Sequence, residues 1–233
     1  MHEQAEIFIA KVFQRDDADE EREPILMAEA IRWAISQGVD IISISAGFAT
    51  CPEPLRSAVH EAHAAHILIF AAASNWGNTD LVAFPARIKD HVYCIFATTG
   101  ALKSARDINP EPRRNADNFA MLGQDISLEG HSNPVSGTSA ATALAAGMAA
   151  RVLDFVWNDE HQDDIQWVSL LQPKPSREGM TAVFRALVRS SEMYDCIQPR
   201  RMLPPPTEDN LGDLKASRAH VRRFLSQALK DAE

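Results

Sequence analysis

A serine at the start of a predicted helix is the first residue in this chain whose position suits chemistry. Ser139 follows Gly137 and Thr138, and the alanine-rich run 138–156 predicts a long helix. Unpaired N–H groups at a helix N-terminus favour negative charge. A serine oxygen at that point can therefore attack a carbonyl carbon while the serine's own N–H binds the oxyanion that forms. The simpler alternative is that Thr138 or Ser139 only caps the helix.

Two further segments place candidate residues directly after predicted strands. Asn75 follows a buried apolar run, and its side-chain N–H can serve as a second oxyanion donor. The alternative is a turn asparagine that bonds its own backbone. Ser45, Ala46 and Gly47 end an isoleucine-rich run and leave an open edge against which a peptide can lie. Many strands end in small residues, so this third segment is weak evidence by itself.

Alternating strands and helices must position these three segments. Apolar residues at helical spacing predict helices, and unbroken apolar runs predict strands buried on both faces. The predicted strands are 7–13, 39–46, 66–73, 92–98 and 125–128, and the predicted helices are 25–37, 54–63, 138–156, 177–189 and 214–229. This order predicts an α/β fold with three layers, α-β-α, around a mostly parallel sheet. Sites in such sheets lie beyond the carboxyl ends of the strands, where Ser45 and Asn75 fall.

The composition of the chain changes near residue 200. Residues 1–200 are predicted to form one domain, and residues 201–233 are predicted to form a proline-rich linker and a charged peripheral helix. The acidic run 16–23 is typical of a solvated loop. Residues 106–118 are polar and rich in turn formers, which predicts a surface loop.

Composition also argues against several classes of function. The chain has 233 residues and a formal charge of −9, which argues against nucleic acid as a partner. Its three cysteines are odd in number and widely spaced, so neither a disulfide framework nor a metal site is predicted. The glycine-rich loops of nucleotide-binding domains are absent from the sequence, and we expect no cofactor. No apolar run approaches about eighteen residues and no secretory signal is visible, so we expect no membrane partner and an intracellular location.

Taken together, the three segments resemble the subtilisin-like serine peptidases in order, sequence and spacing, over about residues 5–153. The Gly-Thr-Ser start of the predicted helix is the most specific part of this resemblance. The resemblance implies a serine endopeptidase that cleaves polypeptide substrates. It implies that Ser139 is the nucleophile and Asn75 the oxyanion donor, with Ser45, Ala46 and Gly47 lining the primary specificity pocket. It also implies the fold of that family, in an N-terminally incomplete form.

The sequence departs from the family at the residues that should activate the serine. The family order is aspartate, histidine, serine, and the resemblance places the first two before this chain's first strand. The sequence contains neither an Asp-x-Gly strand end nor a His-Gly-Thr helix start. His131 lies near Ser139 in sequence, but its loop is not where the family places its base. His60 and His63 are predicted to lie around a helix that packs away from the site. Ser74 replaces the family's usual glycine before the asparagine and is expected to shift the strand end.

Two hypotheses follow from these departures. In the first, the chain is part of a serine endopeptidase whose aspartate and histidine come from a polypeptide segment outside this sequence. The chain alone is then nearly inactive, because a serine without a base is a weak nucleophile. In the second, the chain is a catalytically inactive relative that serves as an interaction or regulatory module. In either case a missing N-terminal segment should leave a strand edge exposed.

Overall fold

The computed structural model describes residues 5–13, 21–77, 81–130, 132–158, 168–205, 213–230 and 232. Residues 16–20 of the acidic run and His131 lie outside these ranges, so the predictions made for them stay predictions. The last residue of the acidic run, Glu23, begins the first helix and is buried, so the predicted solvated loop does not extend that far.

The described residues form a six-stranded sheet and five α-helices, in the following order. The helices are α1 Glu23–Ser36, α2 Glu53–Ala64, α3 Thr138–Asn158, α4 Arg177–Leu187 and α5 Leu214–Lys230. The strands are β1 Ile41–Ile44, β2 Leu68–Ala72, β3 Val92–Thr98, β4 Phe119–Leu122, β5 Val188–Ser191 and β6 Tyr194–Ile197. The order in the sheet is β1-β2-β3-β4-β6-β5, and all neighbours are parallel except β5 and β6.

Helices cover both faces of this sheet. One core cluster joins α3, α4 and α5 to Phe70, Tyr93 and other residues on one face, and a second joins α1 and α2 to Ile69 and Cys94 on the other. β2 and β3 are buried along their whole length, which explains their unbroken apolar sequences. Burial raises the pKa of the Cys94 thiol to about 11, so this cysteine is a protonated small hydrophobe. The predicted α/β fold with three layers and a mostly parallel sheet is confirmed.

The central helix α3 owes its apolar sequence to its place in the core. Among the described residues it is the one helix long and apolar enough to cross a membrane by length and composition. It contacts β1, β2, β3 and β4, and its buried positions include Ala141, Ala145, Ala149 and Val152. The alanines let the helix approach the sheet closely, which fixes the position of its N-terminus.

The predicted strand 7–13 is wrong. Residues 5–13 are present but form no strand, and Ile7 and Ile9 are 72% and 84% exposed. A strand needs a neighbour to receive its N–H and C=O groups, and the described part of the sheet ends at β1 without pairing to this segment. The segment is held by aromatic contacts instead, with Phe8 against Trp33 and Phe13 against Phe48.

Other differences from the predicted elements are smaller. Residues 125–128 form no strand; Ile126 makes only an isolated bridge with Val135. Three strands of four residues, β4, β5 and β6, were not predicted. The proposed division near residue 200 stays a prediction, although α5 packs on α4 and buries Val221 and Leu225 in the core cluster beneath α4.

Candidate active site

The carboxyl ends of β1 and β2 meet the N-terminus of α3. Ser45 directly follows β1, Asn75 lies three residues beyond the end of β2, and Ser139 is the second residue of α3. Parallel strands end at the same edge of a sheet, which brings the first two residues together. Packing of α3 over β1 and β2 brings the third to the same place. The structure therefore assembles the three segments that the sequence singled out.

Ser139 is tied to the end of β1 by two hydrogen bonds. Ser139 Oγ donates to the Ser45 carbonyl oxygen at 3.4 Å, and Ser45 Oγ donates to the Ser139 carbonyl oxygen at 3.2 Å. Ser139 is half-buried and Ser45 is exposed, so this pair lies near the surface of the fold rather than in its core. At 3.4 Å, the bond from Ser139 Oγ to the Ser45 carbonyl is longer than the usual O–H···O distance.

Asn75 is oriented by the first residue of α3. The Thr138 N–H donates to Asn75 Oδ1 at 2.8 Å, and Thr138 Oγ1 lies 3.0 Å from the same oxygen and 3.1 Å from the Ser74 carbonyl oxygen. These contacts engage the amide oxygen, and the amide nitrogen Nδ2 has no hydrogen-bond acceptor among the residues that the structure describes. An asparagine held this way can present its N–H groups to an oxyanion beside Ser139.

Gly137 allows this close approach of Asn75 to the helix start. A Cβ at Gly137 would lie 3.1 Å from Asn75 Nδ2, and its backbone φ of +150° is one that side chains disfavour. The Gly137 N–H donates to the Gly123 carbonyl oxygen at 2.7 Å, which anchors the turn before α3 on the end of β4. A side chain at position 137 would crowd Asn75, which explains why glycine precedes Thr138 and Ser139.

The helix-cap alternative for Thr138 and Ser139 does not describe their contacts. The Thr138 hydroxyl contacts Asn75 and the Ser74 carbonyl, and the Ser139 hydroxyl contacts the Ser45 carbonyl. These hydrogen bonds run across the fold to the ends of β1 and β2. The orienting role of Thr138 was missed at the sequence level, although the Gly-Thr-Ser run contained the residue.

Ser74, which replaces the family's usual glycine, has a backbone conformation that side chains disfavour. Its backbone φ is +155°, a value that glycine adopts readily. Its Oγ is buried and has no hydrogen-bond partner among the described residues. The Ser74 carbonyl oxygen and Asn75 Oδ1 nevertheless both contact Thr138 Oγ1, so Asn75 stays against the start of α3.

Ser45, Ala46 and Gly47 continue the chain directly after β1, and Ser45 is the residue of this run that bonds to Ser139. The chain after them pairs with a loop, since Phe48 and Phe84 exchange backbone hydrogen bonds of 2.9 and 2.8 Å. A Cβ at Gly47 would lie 2.7 Å from Ala83 Cβ and 3.0 Å from the Phe84 carbonyl oxygen, so only glycine fits. Their role in lining a specificity pocket stays a prediction.

Ser139 makes no hydrogen bond to an imidazole or a carboxylate within the described ranges. His60, His63 and His91 cluster beside the start of β3, at the opposite end of the sheet, with ring centroids of His91 4.3 Å from both other rings. Burial and the other imidazoles lower the pKa values of His63 and His91. The predicted placement of His60 and His63 away from the site agrees with this cluster.

Comparison with known proteins places this chain in a family. The family model described as the subtilase family matches residues 1–181. The subtilisin-like protease het-Q2 of Podospora anserina is 32% identical over 198 residues, which cover 78% of this chain and 54% of the relative. The subtilisin of Bacillus pumilus is 30% identical over 131 residues, which cover 53% of this chain and 46% of that protein. The chain belongs to the subtilase family, and it spans about half the length of the curated relatives it matches.

Solved structures support the same fold. The prenylagaramide maturation protease PagA superimposes with a TM-score of 0.60 at 20% identity, covering 92% of this chain and 71% of that one. The patellamide maturation protease PatA gives a TM-score of 0.58 at 21% identity, covering 82% and 70%. The PatG macrocyclase, solved in complex with peptide, gives 0.55 at 17% identity, covering 87% and 56%.

Proposed function

We propose that this chain carries the nucleophile and the oxyanion donors of a serine endopeptidase. The observation that supports the proposal most is the position of Ser139, at the N-terminus of α3 and beside Asn75, whose amide oxygen is held by Thr138. Curated relatives with this family's sequence are named as subtilisins and as a subtilisin-like protease. Family membership and the local geometry both support Ser139 as the nucleophile.

The chemistry is acyl transfer through Ser139. Ser139 Oγ attacks the carbonyl carbon of a peptide bond, and its proton passes to a base. The Ser139 N–H and Asn75 Nδ2 bind the oxyanion of the tetrahedral intermediate. The amine product leaves with the proton when the C–N bond breaks, and water then hydrolyses the ester formed with Ser139.

The base belongs to a polypeptide segment outside these 233 residues in this proposal. Support comes from the sequence, which has no His-Gly-Thr helix start, and from the hydrogen bonds of Ser139 in the described ranges, which involve no imidazole. Loss of a triad base reduces turnover by roughly 10⁴–10⁶. The 233-residue chain alone is therefore expected to be nearly inactive.

The substrate we propose is a polypeptide whose chain lies against Ser45, Ala46 and Gly47. These residues have small side chains, and Ser45, which bonds to Ser139, is exposed. A related fold has been solved in complex with peptide, which supports this class of substrate. Because Ser45, Ala46 and Gly47 are small and uncharged, they favour a substrate whose contacting side chain carries no charge.

A second candidate function is an inactive interaction module. One observation favours it: the Ser139 hydroxyl donates to the Ser45 carbonyl, a contact that a structural serine can also make. In that case Ser139 persists without a chemical role. The two candidates differ in whether Ser139 becomes reactive when a base is supplied.

The test compares casein hydrolysis by the 233-residue chain and by the same chain extended at Met1 with the aspartate- and histidine-bearing part of a subtilase domain. The extended chain should cleave casein, and Ser139→Ala should abolish cleavage. Ser136→Ala is the matched control, because Ser136 Oγ only accepts a hydrogen bond from the Asp125 N–H. A folded extended chain that leaves casein intact would favour the interaction module.

A further inference from the structure

A pocket of about 410 Å³ lies at the edge of the sheet opposite to Ser139. Val92 and Phe119, which begin β3 and β4, contribute to its lining. The strands β1 to β4 are parallel, so the amino ends of β3 and β4 lie away from the carboxyl ends of β1 and β2, where Ser139 is placed. The pocket is therefore separate from the candidate active site.

Positive charge is in excess around this pocket, which we call the basic pocket. The charged residues that line it are four basic and two acidic ones: Lys89, Arg113, Arg177 and Arg185, with Asp90 and Asp117. Asp117 is engaged by Arg185, which donates two hydrogen bonds of 3.0 and 3.1 Å to its carboxylate. Among the described residues, Lys89, Arg113 and Arg177 form no ion pair with a carboxylate. Since the whole chain has a formal charge of −9, this excess is a local feature.

Backbone carbonyl groups hold the two unpaired arginines in place. Arg113 Nη1 and Nη2 donate to the carbonyl oxygens of Ala86 and Asp117 at 3.1 and 2.8 Å. Arg177 Nη2 donates to the carbonyl oxygen of Lys89 at 3.0 Å. A carbonyl oxygen accepts a hydrogen bond but carries no full negative charge. The positive charge of both guanidinium groups therefore remains uncompensated beside the pocket.

The same two arginines also keep unused hydrogen-bond donors. Arg113 Nε and Arg177 Nε are buried and have no hydrogen-bond partner within the described part of the chain. The Arg177 guanidinium lies 4.9 Å from the centroid of the Tyr93 ring, a contact that favours the cation without supplying a charged acceptor. Native structures leave few buried donors without an acceptor, because such donors are costly. Unused donors and uncompensated charge on the same side chains indicate a site for an anion.

The elements that carry these arginines are well anchored. The Arg113 N–H donates to Asn118 Oδ1 at 2.8 Å, and Asn118 Nδ2 donates to the Arg113 carbonyl oxygen at 2.9 Å. Asn118 is buried, which fixes the loop before β4. Arg177 is the first residue of α4, where Ser176 Oγ accepts a hydrogen bond from the Gly179 N–H at 3.0 Å. A ligand therefore meets a preformed set of cations, and the cost of ordering them is small.

We propose that the basic pocket binds a small phosphate ester that carries hydroxyl groups, such as a sugar phosphate. A phosphate ester has a charge of about −1.5 to −2 at pH 7 and three acceptor oxygens, which suit several cations better than the single charge of a carboxylate does. The volume of about 410 Å³ lies in the range of small-molecule sites and exceeds the size of a phosphate ion. Asp90 and Asn115 also line the pocket and can accept hydrogen bonds from hydroxyl groups.

The aromatic residues of the basic pocket argue against a nucleotide as the ligand. Tyr93 and Phe119 line the pocket, but each is only 1% exposed. The Tyr93 ring is also covered by the Arg177 guanidinium. Neither ring therefore offers an open face on which a base can stack. The organic part of the ligand is accordingly polar and not aromatic.

The first experiment titrates glucose 6-phosphate into the full 233-residue chain by isothermal titration calorimetry. We expect saturable binding with a dissociation constant below about 1 mM, which weakens as salt is added. Inorganic phosphate should compete but bind at least about threefold more weakly, and glucose should not bind. In NMR spectra the amide signals of Asn115 and Arg177 should shift on binding, whereas that of Ser139 should not. Ser139→Ala should bind glucose 6-phosphate as the parent chain does, which separates this proposal from the proposed function.

Charge-removing variants of the basic pocket complete the test. Arg177→Gln should weaken binding of glucose 6-phosphate by about tenfold or more, because a charge-assisted hydrogen bond is lost. Arg151→Gln, the same change at an exposed position on α3 outside the pocket, should leave binding unchanged. If Arg177→Gln does not fold by circular dichroism, Lys89→Gln serves in its place, and Lys103→Gln is then the control. Both lysines are exposed, so their substitution should not disturb the core.

Several results would overturn the proposal. One is the absence of binding at millimolar glucose 6-phosphate, and another is binding that a folded Arg177→Gln or Lys89→Gln variant leaves unchanged. Equal affinity for inorganic phosphate would overturn the assignment of an ester and leave the free ion as the ligand. Tighter binding of a phosphoserine peptide than of glucose 6-phosphate would overturn the assignment of a small molecule. So would binding that shifts the Ser139 amide and not those of the basic pocket, because the site would then lie elsewhere.

Discussion

Ser74 combines two local costs at the end of β2. Its φ of +155° is disfavoured for a residue with a side chain, and its buried Oγ has no partner in the described part of the chain. Ser74→Gly removes both, so we predict a gain of about 1–3 kcal/mol in the free energy of unfolding, measured with urea. Ser132→Gly, at an exposed loop position, should change it by less than about 0.5 kcal/mol. An unchanged or lowered stability of Ser74→Gly would contradict this account.

Thr138 is the residue that joins the oxyanion donor to the helix of the nucleophile. Thr138→Val keeps its shape but removes the hydroxyl between Asn75 and Ser74, and should lower the free energy of unfolding by about 1–3 kcal/mol. Thr138→Ser should largely restore it. Thr142→Val is the matched control, because Thr142 Oγ1 donates only to a helix carbonyl, and its effect should be smaller. Equal losses at both positions in chemical denaturation would argue against the orienting role.

The elements around the site depend on a close approach of α3 to β3 and β4. A Cβ at Gly123 would lie 2.7 Å from Ala97 Cβ and 2.9 Å from the Gly137 carbonyl oxygen. We predict that Gly123→Ala lowers the free energy of unfolding by about 1–3 kcal/mol through overpacking. Gly100→Ala, with nothing within 4 Å of the added methyl, should be neutral or slightly stabilising. Thermal unfolding of the two variants measures the difference.

An element could be predicted from the sequence when its own residues carry a clear helical or strand pattern. α3 and β3 are long and periodic or wholly apolar, so the sequence predicted them within two residues. β4, β5 and β6 have only four residues each, and their pairing is a tertiary property. The segment 7–13 has a strand's sequence, but no described strand lies beside it.

Part of the candidate site could be predicted because its residues lie at the ends of elements with clear sequence patterns. Ser45 and Asn75 end strands and Ser139 begins a helix, so each has a local sequence signal. The contact between Thr138 and Asn75 joins residues 63 positions apart, and no local pattern encodes which amide atom it engages. The predicted roles of Ser139 and Asn75 came from the family resemblance. Their hydrogen-bond contacts became known only from the structure.

At the scale of the whole molecule, the three-histidine cluster couples stability to pH. Burial is the largest cause that lowers the pKa values of His63 and His91, followed by the neighbouring imidazoles. Arg177 lowers both pKa values further. Glu178 raises the pKa of His63, and Asp90 raises that of His91. A lowered pKa means that the folded state holds these imidazoles neutral more strongly than the unfolded chain does. Their contribution is therefore complete above the unfolded value of about 6.5 and decreases as pH falls towards the folded values.

We therefore predict that His91→Gln makes the free energy of unfolding less dependent on pH between about pH 7 and pH 5. Urea denaturation across this range measures the slope. His220→Gln, on α5 and outside the cluster, is the control for the change of a histidine to glutamine. A steeper slope in His91→Gln than in the parent would contradict the role of the cluster.

Fluorophosphonate labelling, mapped by mass spectrometry, tests most directly the claim that Ser139 is the nucleophile of a site completed from outside this chain. In this reaction the Ser139 Oγ–phosphorus bond forms and fluoride leaves. On the chain extended with the aspartate- and histidine-bearing part of a subtilase domain, the label should appear on Ser139, and Ser139→Ala should remove it. The 233-residue chain alone should react slower by roughly 10⁴–10⁶. A label on any other residue, or one that persists in Ser139→Ala, would contradict the claim.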